Sequence, residues 1–485
     1  MECLIGIDVG TTSVKAVMIT LEGERVAEAS AQYPSQRTTE GHVEQDPQDW
    51  WRLVLQALNG FQGKGTVRAI CLTSQVNTHL FVDAGLTPLC PAIVWQDGRA
   101  AAAGAQIDAR LTVDEKTRLL GAPIPVDASH ALARMNWMAQ ARPEMWAKTA
   151  HVLVPRDYLV ARLTGRVLCD PMSSVGLVGT DLTYAKGLID LMPGAGVRLA
   201  PLADPVSVVG SIQGGLPFAG TSVVLGMMDA WASLLGLGVV REGQAMYLSG
   251  TSEVTGLISA QVTPEPGVIT FPPWAGITLH AGPTQAGGAS FEWLSRLLGR
   301  GVAELAESAA AVAANTPLFL PHLQGERAPL WDAALRGTFA GLTAASGPQE
   351  LSAAVLEGVA FSARLAMEAL QRSGGTVPAQ VRLGGGGAAS DRWCQIRADV
   401  FNRAMVRVKG IDPGAMGAAV LAGVGSGAMA DLPTAAERLV LTDRVFLPDP
   451  AQAMLAEQRF RLWQDLIGQT RPINAALAGY APAKV

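Results

Sequence analysis

A pattern of strand, small-residue turn and strand occurs twice in this chain, about 240 residues apart. The first copy is Leu4–Thr20, LIGIDVGTTSVKAVMIT, and the second is 245–259, AMYLSGTSEVTGLIS. In each copy, apolar residues typical of a buried strand lead into glycine and hydroxyl residues, and a second apolar strand follows. Such an echo predicts a duplicated α/β unit. We therefore expect two domains, 1–240 and 241–485, separated by the loop Gly238–Gly243.

Both turns have the composition of a phosphate-binding loop. A tight turn of glycine and hydroxyl residues offers backbone N–H groups and hydroxyls in one concavity. The candidate phosphate-binding residues are Gly10, Thr11 and Thr12, which we call the first phosphate turn, and Gly250, Thr251 and Ser252, the second phosphate turn. Asp8 stands at the mouth of the first turn, where a carboxylate suits Mg²⁺, which prefers hard oxygen ligands. An ordinary β-hairpin would give the same short pattern, so only further motifs along the chain can distinguish a phosphate-binding turn from it.

Composition restricts the class of protein. Of the 485 residues, 49% are hydrophobic and 16% are charged, which is typical of a large globular chain. The net charge of −5 and the lack of a Lys or Arg run argue against a nucleic-acid surface. The five cysteines are scattered and the six histidines have no metal-ligand spacing. Reduced thiols and the absence of a basic signal region at Met1–Cys3 predict a cytoplasmic protein.

One segment, Val223–Val240, has the length and apolarity of a membrane span. Asp229 at its centre argues against insertion, because an isolated carboxylate is costly in lipid. We predict a short buried strand, a turn that ends at Asp229, and a helix from about Ala230. Asp229 can cap this helix and still act as a base. No membrane partner is expected.

Polar residues follow two predicted strands in the first half. Gln75 and Asn77 come after the strand Val67–Thr73, and Asp97 and Arg99 come after the strand at 92–95. Ligands are met at the carboxyl ends of parallel strands, so these side chains are candidates for binding a polyol. The alternative for Asp97 and Arg99 is a surface ion pair, worth under about 1 kcal/mol.

Four glycines, Gly384–Gly387, lie between a predicted strand at 381–383 and a predicted helix, Asp391–Phe401. Glycines at this position let a planar base and its ribose lie on the backbone. Gly384, Gly385 and Gly386 are therefore candidates for nucleotide binding, with a flexible linker as the alternative. Further helices are predicted at 47–59, 113–120, 131–140, 156–163 and 348–371, and the tail beyond Pro472 is expected to be disordered.

Seven segments, in this order, resemble the motifs of the FGGY-family carbohydrate kinases, which belong to the actin-like ATPase superfamily. They are GIDVGTTSVKAV, EQDPQDWW, WQDGR, PRDYLVARLTG, LSGTSEV, GTFAGLTAASGPQELSAAVLE and GGGGAASDRWCQIRAD. The resemblance implies two ribonuclease-H-like α/β domains around a central cleft. It also implies an enzyme that uses ATP and Mg²⁺ to phosphorylate a small-molecule sugar or polyol.

By the same resemblance, Asp229 is the general base and also contacts the sugar, and Asp8 positions Mg²⁺ or its waters. The two turns hold the phosphates of ATP, and the glycine loop Gly384–Gly387 holds adenosine. Gln75, Asn77, Asp97 and Arg99 face the sugar in this interpretation.

The segments WQDGR and GERAP (Gly325–Pro329) resemble those of family members that act on xylulose, so a pentulose such as D-xylulose is the expected substrate. Asn77, Ala230 and Arg134 depart from the pattern of those members. Ribulose, L-xylulose, erythritol or another polyol, and glycerol therefore stay open. A non-kinase actin-like ATPase is the remote alternative, and a homodimer is left open.

Overall fold

The structure, a computed structural model, describes residues 1–38, 40–410 and 412–479. The chain forms two compact units, Met1–Gly238 with Ile411–Val440, and Val239–Gly410 with Leu441–Val485. The first passage between units thus falls close to the expected boundary at 240. A single boundary is nevertheless wrong, because Ile411–Val440 returns to the first unit.

Groups of strands and groups of helices alternate along the described chain. The strands are β1 (Glu2–Val9), β2 (Ser13–Thr20), β3 (Arg25–Gln32), β4 (Gln36–Arg37), β5 (Val43–Gln45), β6 (Thr66–Ser74), β7 (Leu80–Val82), β8 (Ala92–Ile93), β9 (His151–Leu153), β10 (Val208–Ser211), β11 (Ser222–Val224), β12 (Ala245–Ser249), β13 (Glu253–Ile258), β14 (Ile269–Thr270), β15 (Leu279–Pro283), β16 (Leu318–Leu320), β17 (Thr338–Ala340), β18 (Gln380–Gly384), β19 (Ala404–Val408) and β20 (Thr442–Phe446).

The helices are α1 (Pro47–Phe61), α2 (Ala101–Asp108), α3 (Val113–Leu120), α4 (Ala131–Ala141), α5 (Pro143–Lys148), α6 (Pro155–Thr164), α7 (Lys186–Ile189), α8 (Asp229–Gly236), α9 (Gly288–Leu298), α10 (Val302–Ser308), α11 (Pro348–Gly374), α12 (Asp391–Phe401), α13 (Pro413–Gly425), α14 (Leu432–Leu439) and α15 (Pro450–Gly479). Short 3₁₀ turns lie at Gly196–Arg198 and Gly386–Ala389.

The helices predicted from capping and periodicity are present. Asp46 caps α1 by accepting a hydrogen bond from the N–H of Gln48 at 2.9 Å, and the side chain of Trp50 is fully buried in the core beneath it. The expected disorder after Pro472 is wrong as far as Gly479, since α15 continues through that proline; residues 480–485 lie outside the described part. Among the described helices, none is long and apolar enough to cross a membrane.

The two large sheets have the same plan. The first unit has the order β10-β11-β6-β1-β2-β3. Read from the corresponding edge, the second has β20-β19-β18-β12-β13-β15, with β14 added beyond β15. β1 is antiparallel to β2 and parallel to β6, as β12 is antiparallel to β13 and parallel to β18. The remaining pairs also correspond. β11–β6 and β19–β18 are parallel, whereas β10–β11, β20–β19, β2–β3 and β13–β15 are antiparallel. Gly10 and Gly250 therefore lie in equivalent turns, and the predicted duplication is confirmed.

Helix α13 explains why Ile411–Val440 returns to the first unit. It packs on β1, β6 and α8, and glycines make this approach possible. A Cβ on Gly6 of β1 would lie 1.9 Å from the carbonyl oxygen of Ala415, and one on Gly417 would lie 1.7 Å from that of Ala232. No pattern in one sequence predicts such close backbone contact between β1 and α13, which lie about 400 residues apart.

We expect Gly6→Ala to lower the free energy of unfolding by about 1–3 kcal/mol or more, because a methyl group in a filled interface forces the backbones apart. Urea denaturation followed by tryptophan fluorescence measures the change. Gly60→Ala, in the last turn of α1, is the matched control because its Cβ would meet no atom within 4 Å. Wild-type stability of Gly6→Ala would contradict the packing of α13 on β1.

Candidate active site

The turn between β1 and β2 is held in shape by bonds to its carbonyl groups. The N–H of Gly10 donates to the carbonyl of Ser13 at 3.0 Å. The hydroxyl of Tyr33 donates to the carbonyl of Gly10, and Nε2 of Gln45 donates to the carbonyl of Thr11 at 2.7 Å. Because these carbonyls are bonded to the protein, the shape of the turn is fixed without a ligand. Thr12, at the tip, is exposed.

Asp8 lies near the end of β1, directly before this turn. Its Oδ1 is buried and has no hydrogen-bond partner among the described residues. Gly414, at the start of α13, leaves room for the carboxylate, since a Cβ there would lie 2.6 Å from Oδ2. Burial raises the pKa of Asp8 well above its usual value, the charges of Asp412 and Asp229 raise it further, and that of Lys15 opposes them.

Two charged residues that the sequence analysis did not single out border Asp8. Nζ of Lys15, on β2, lies 2.7 Å from Oδ2 of Asp412. Asp412 also caps α13, because its Oδ1 accepts a hydrogen bond from the N–H of Ala415 at 3.0 Å. The sequence Asp-Pro-Gly is a recognisable helix start. Its proximity to Asp8 could not be read from the chain.

Asp229 is the first residue of α8, and Met228 occupies the N-cap position that the sequence analysis gave to Asp229. Its Oδ1 accepts a hydrogen bond from the N–H of Ala230 at 2.8 Å, and the residue is half-buried. Burial raises the pKa of Asp229 to about 6, although the helix N–H groups oppose the shift. Its charge acts on Asp8. The structure therefore brings the predicted base and the predicted metal carboxylate into one acidic cluster, which consists of Asp8, Asp229 and Asp412.

The acidic cluster can be tested for a metal. Within the described residues, no group of three or more His, Cys, Asp or Glu side chains is arranged to hold a metal ion alone. Mg²⁺ is usually held by one or two carboxylates together with waters and substrate phosphates. The unpartnered, buried Oδ1 of Asp8 fits that kind of site. The assignment of Asp8 to Mg²⁺ stays a prediction.

Gln75 and Asn77 follow β6 as expected, but they differ in surroundings. Gln75 is buried, and its Nε2 donates to Oε1 of Gln45 at 2.8 Å. Because Gln45 in turn donates to the carbonyl of Thr11, the side-chain amides of Gln75 and Gln45 connect the end of β6 to the first phosphate turn. Oε1 of Gln75 is buried without a partner in the described residues. Asn77 has a left-handed backbone with φ 56°, and its carbonyl accepts a hydrogen bond from Arg134.

Asp97 and Arg99 form a buried pair, so the alternative of a surface ion pair is wrong. Oδ1 of Asp97 accepts hydrogen bonds from the N–H and Nε of Arg99, both at 2.9 Å, and Oδ2 accepts from NH2 of Arg99 at 2.7 Å. The N–H of Val43 also donates to Oδ2, at 2.6 Å. Burial would raise the pKa of Asp97, but these bonds hold it below its usual value. Arg99 also bonds Glu44 at 2.7 Å. The binding of sugar by this pair stays a prediction.

The turn between β12 and β13 corresponds to the first but is one residue shorter, since three residues separate the paired Ser249 and Glu253. The N–H of Gly250 donates to the carbonyl of Ser252 at 3.1 Å. The first residues of α9 close the other side, since the N–H of Gly288 donates to the carbonyl of Gly250 at 2.9 Å and that of Ala289 to Thr251 at 3.0 Å. The predicted phosphate residues Gly250, Thr251 and Ser252 therefore lie together at the N-terminus of a helix, a position that favours anions.

The glycine loop Gly384–Gly387 lies against this second turn, because β18 pairs with β12. Gly385 has φ +90°, and a Cβ on it would lie 2.3 Å from the carbonyl oxygen of Ser249. A Cβ on Gly387 would lie 2.1 Å from Oγ of Ser249, whereas one on Gly386 would meet nothing within 4 Å. Gly385 and Gly387 thus allow the loop to approach Ser249, and Gly386 presents an open backbone. The alternative of a flexible linker is wrong.

Comparison with known proteins identifies the class. The model of the N-terminal domain of the FGGY family of carbohydrate kinases matches residues 3–186, and that of the C-terminal domain matches residues 245–426. A xylulose kinase of Escherichia coli is 30% identical over 97% of this chain and 100% of its own length.

Two solved structures from Lactobacillus acidophilus are also similar, each with 26% identity. A ligand-bound xylulose kinase has a TM-score of 0.86 over 97% of this chain and 99% of the other. A gluconate kinase has a TM-score of 0.87 over 99% of this chain and 100% of the other. These likenesses confirm the α/β class and the actin-like ATPase fold of the two domains. The chain belongs to the FGGY family of carbohydrate kinases, and it is a phosphotransferase that uses ATP to phosphorylate a small sugar substrate.

Proposed function

We propose that this kinase phosphorylates a pentulose, D-xylulose in the first place, with Asp229 as the general base and Mg²⁺-ATP as the phosphoryl donor. The observation that carries the proposal is the acidic cluster beside the first phosphate turn, in which Asp229 is half-buried and has a raised pKa. A general base works best when its pKa lies near the operating pH.

Asp229 accepts the proton of the attacking sugar hydroxyl. The hydroxyl oxygen then forms a bond to the γ-phosphorus, the bond from that phosphorus to the bridging oxygen breaks, and ADP leaves. The hydrogen bond from the N–H of Ala230 occupies Oδ1 of Asp229 and fixes the carboxylate. Oδ2 is the oxygen that we assign to the proton.

Asp8 is the residue that would hold Mg²⁺, directly or through a water molecule. When bound, the ion neutralises the charge that develops on the phosphates during transfer. Oδ1 of Asp8 supports this role, because a buried carboxylate oxygen without a donor is costly unless a ligand completes it. Lys15 fixes the neighbouring carboxylate of Asp412 through their ion pair. Thr11 and Thr12 contribute to phosphate binding from the first turn.

In the second unit, we assign the phosphates of ATP to Gly250, Thr251 and Ser252 and the adenosine to Gly384, Gly385 and Gly386. The helix start at Gly288 supports the first assignment, since its dipole favours negative charge. The open backbone at Gly386 supports the second.

For the sugar, we assign Gln75, Asn77, Asp97 and Arg99 to the acceptor side. The unpartnered Oε1 of Gln75 supports a hydrogen bond from a sugar hydroxyl. Asp97 acts by holding Arg99, because four donors already occupy its carboxylate. Two of the three relatives described above are xylulose kinases, which favours D-xylulose, and the gluconate kinase makes D-gluconate the second candidate.

We also propose a cytoplasmic location. All five cysteines are free and four of them are buried, which suits a reducing compartment.

A coupled assay of ADP release over D-xylulose, D-ribulose, glycerol, erythritol and D-gluconate tests the substrate. We expect kcat/KM for D-xylulose to exceed the others by about 10-fold or more, the discrimination that a few pocket contacts give. A larger kcat/KM for another compound would replace D-xylulose with it. ADP release that does not depend on any acceptor would contradict sugar phosphorylation.

Gly386→Leu is expected to raise the KM for ATP far more than the KM for sugar, because a side chain there blocks approach to the backbone. It should fold normally, since its Cβ would meet no atom within 4 Å. Gly468→Leu, on α15, has equal space around it and is the matched control. Equal changes of both KM values in Gly386→Leu would count against adenosine binding by this loop.

Asp229→Asn should fold normally, bind both substrates and lose about 10²–10⁴-fold in kcat, because it keeps the acceptor for the N–H of Ala230 but removes basicity. In the wild type, burial raises the pKa of Asp229 to about 6, so the base is ionised at pH 7. The value of kcat/KM should therefore fall as the pH decreases through about 6.

Steady-state rates between pH 5 and 8, together with calorimetric binding of sugar and ATP, give both readouts. Asp46→Asn, the same exchange at the cap of α1, should leave them unchanged. Near-normal kcat in Asp229→Asn would refute the base assignment.

A further inference from the structure

Arg397, on α12, is a fully buried cation close to the second phosphate turn. The centre of its guanidinium group lies 3.9 Å from the ring centroid of Trp393 and 4.8 Å from that of Tyr247. Both distances are short enough for a cation–π interaction. Neither the base nor the metal assignment uses this residue.

The guanidinium contacts both segments that we assign to ATP. NH1 donates to the carbonyl of Gly387 in the glycine loop at 3.0 Å. NH2 donates to Oγ of Ser249, the residue directly before the phosphate turn. The same nitrogen lies 3.5 Å from Oε1 of Glu253, the residue directly after that turn. One side chain therefore connects the glycine loop with both ends of the turn.

Stability alone is a weak reason for such an arrangement. A buried ion pair often contributes no more than apolar side chains of the same volume would. Nε of Arg397 is also buried without a hydrogen-bond partner in the described residues. Burial raises the pKa of Glu253 to about 7, against the opposing charge of Arg397. An apolar pair would avoid both costs, but it could not bond to Ser249 and Gly387.

We propose that Arg397 is a positioning residue for the nucleotide: it fixes the spacing between the glycine loop and the second phosphate turn so that one molecule of ATP contacts both. The proposal rests on the nucleotide-binding roles given to these segments under the proposed function. A ligand that spans two segments gains affinity when their spacing is already correct, since no ordering cost remains. A ligand that contacts only one segment gains little from it.

ADP and adenosine separate these cases, because ADP reaches the phosphate turn and adenosine does not. The test variant is the double exchange Arg397→Met with Glu253→Gln, which removes both charges and leaves no unpaired buried ion. We expect the Kd for ADP, measured by titration calorimetry, to rise about 10-fold or more, the effect of losing a hydrogen bond to a charged group. The Kd for adenosine should change by less than about 3-fold, because one segment alone needs no fixed spacing.

The chain offers a matched control in the same unit. Arg459 and Glu357 form another buried pair, with NH2 and Oε2 at 2.7 Å. The exchange Arg459→Met with Glu357→Gln should leave both Kd values as in the wild type. Arg397→Lys keeps the charge but loses the forked geometry, so we expect an intermediate Kd for ADP.

A double variant of Arg397 and Glu253 that binds ADP as the wild type does would overturn the inference. An equal loss of ADP and adenosine affinity would also overturn it, since that result indicates a merely structural role. If the double variant does not fold, Arg397→Lys is measured instead. A wild-type Kd for ADP, or equal losses of ADP and adenosine affinity, would then overturn the inference. Gly386→Leu tests the nucleotide assignment separately: weakened ATP binding there with unchanged ADP binding in the Arg397 variants refutes the positioning role alone.

Discussion

The first unit depends on close backbone contact around α13. Gly6, Gly236 and Gly417 let this helix approach β1 and α8 to distances that a methyl group would prevent. Because Asp412 caps α13, Asp229 opens α8 and Asp8 lies next to the last residue of β1, the same contacts set the spacing of the three carboxylates. Packing and active-site geometry are thus one constraint, and a change at these glycines would alter both.

The acidic cluster is electrostatically unfavourable by itself. The charges of Asp412 and Asp229 raise the pKa of Asp8, and Lys15 opposes that shift. The charge of Asp412 also raises the pKa of Asp229. Natural sequences break local rules of this kind chiefly at functional sites. The N–H groups at the starts of α8 and α13 lower the cost, because helix N-termini favour negative charge. We expect a bound cation to relieve the remaining repulsion, so that the binding of Mg²⁺-ATP depends on Asp8.

Much of the fold could be predicted because its signals are local. The turn at Gly10, the cap at Asp46 and the glycine loop at Gly385 each depend on residues adjacent in the chain. The return of Ile411–Val440 to the first unit and the burial of Asp97 against Arg99 could not be predicted. Both depend on which distant surfaces meet, and a charged pair in a loop has the same sequence whether it is exposed or buried.

The duplicated turns have diverged in the residues that flank them. Asp8 precedes the first turn at the position that Leu248 occupies in the second, as the pairing of β1 with β2 and of β12 with β13 shows. At the position before the turn, therefore, the first copy has a carboxylate and the second has an apolar side chain. The second turn instead has a buried cation, Arg397, behind it. Under the proposed function, these side chains separate two roles: the first unit would hold the metal ion and accept the proton, and the second would fix the nucleotide.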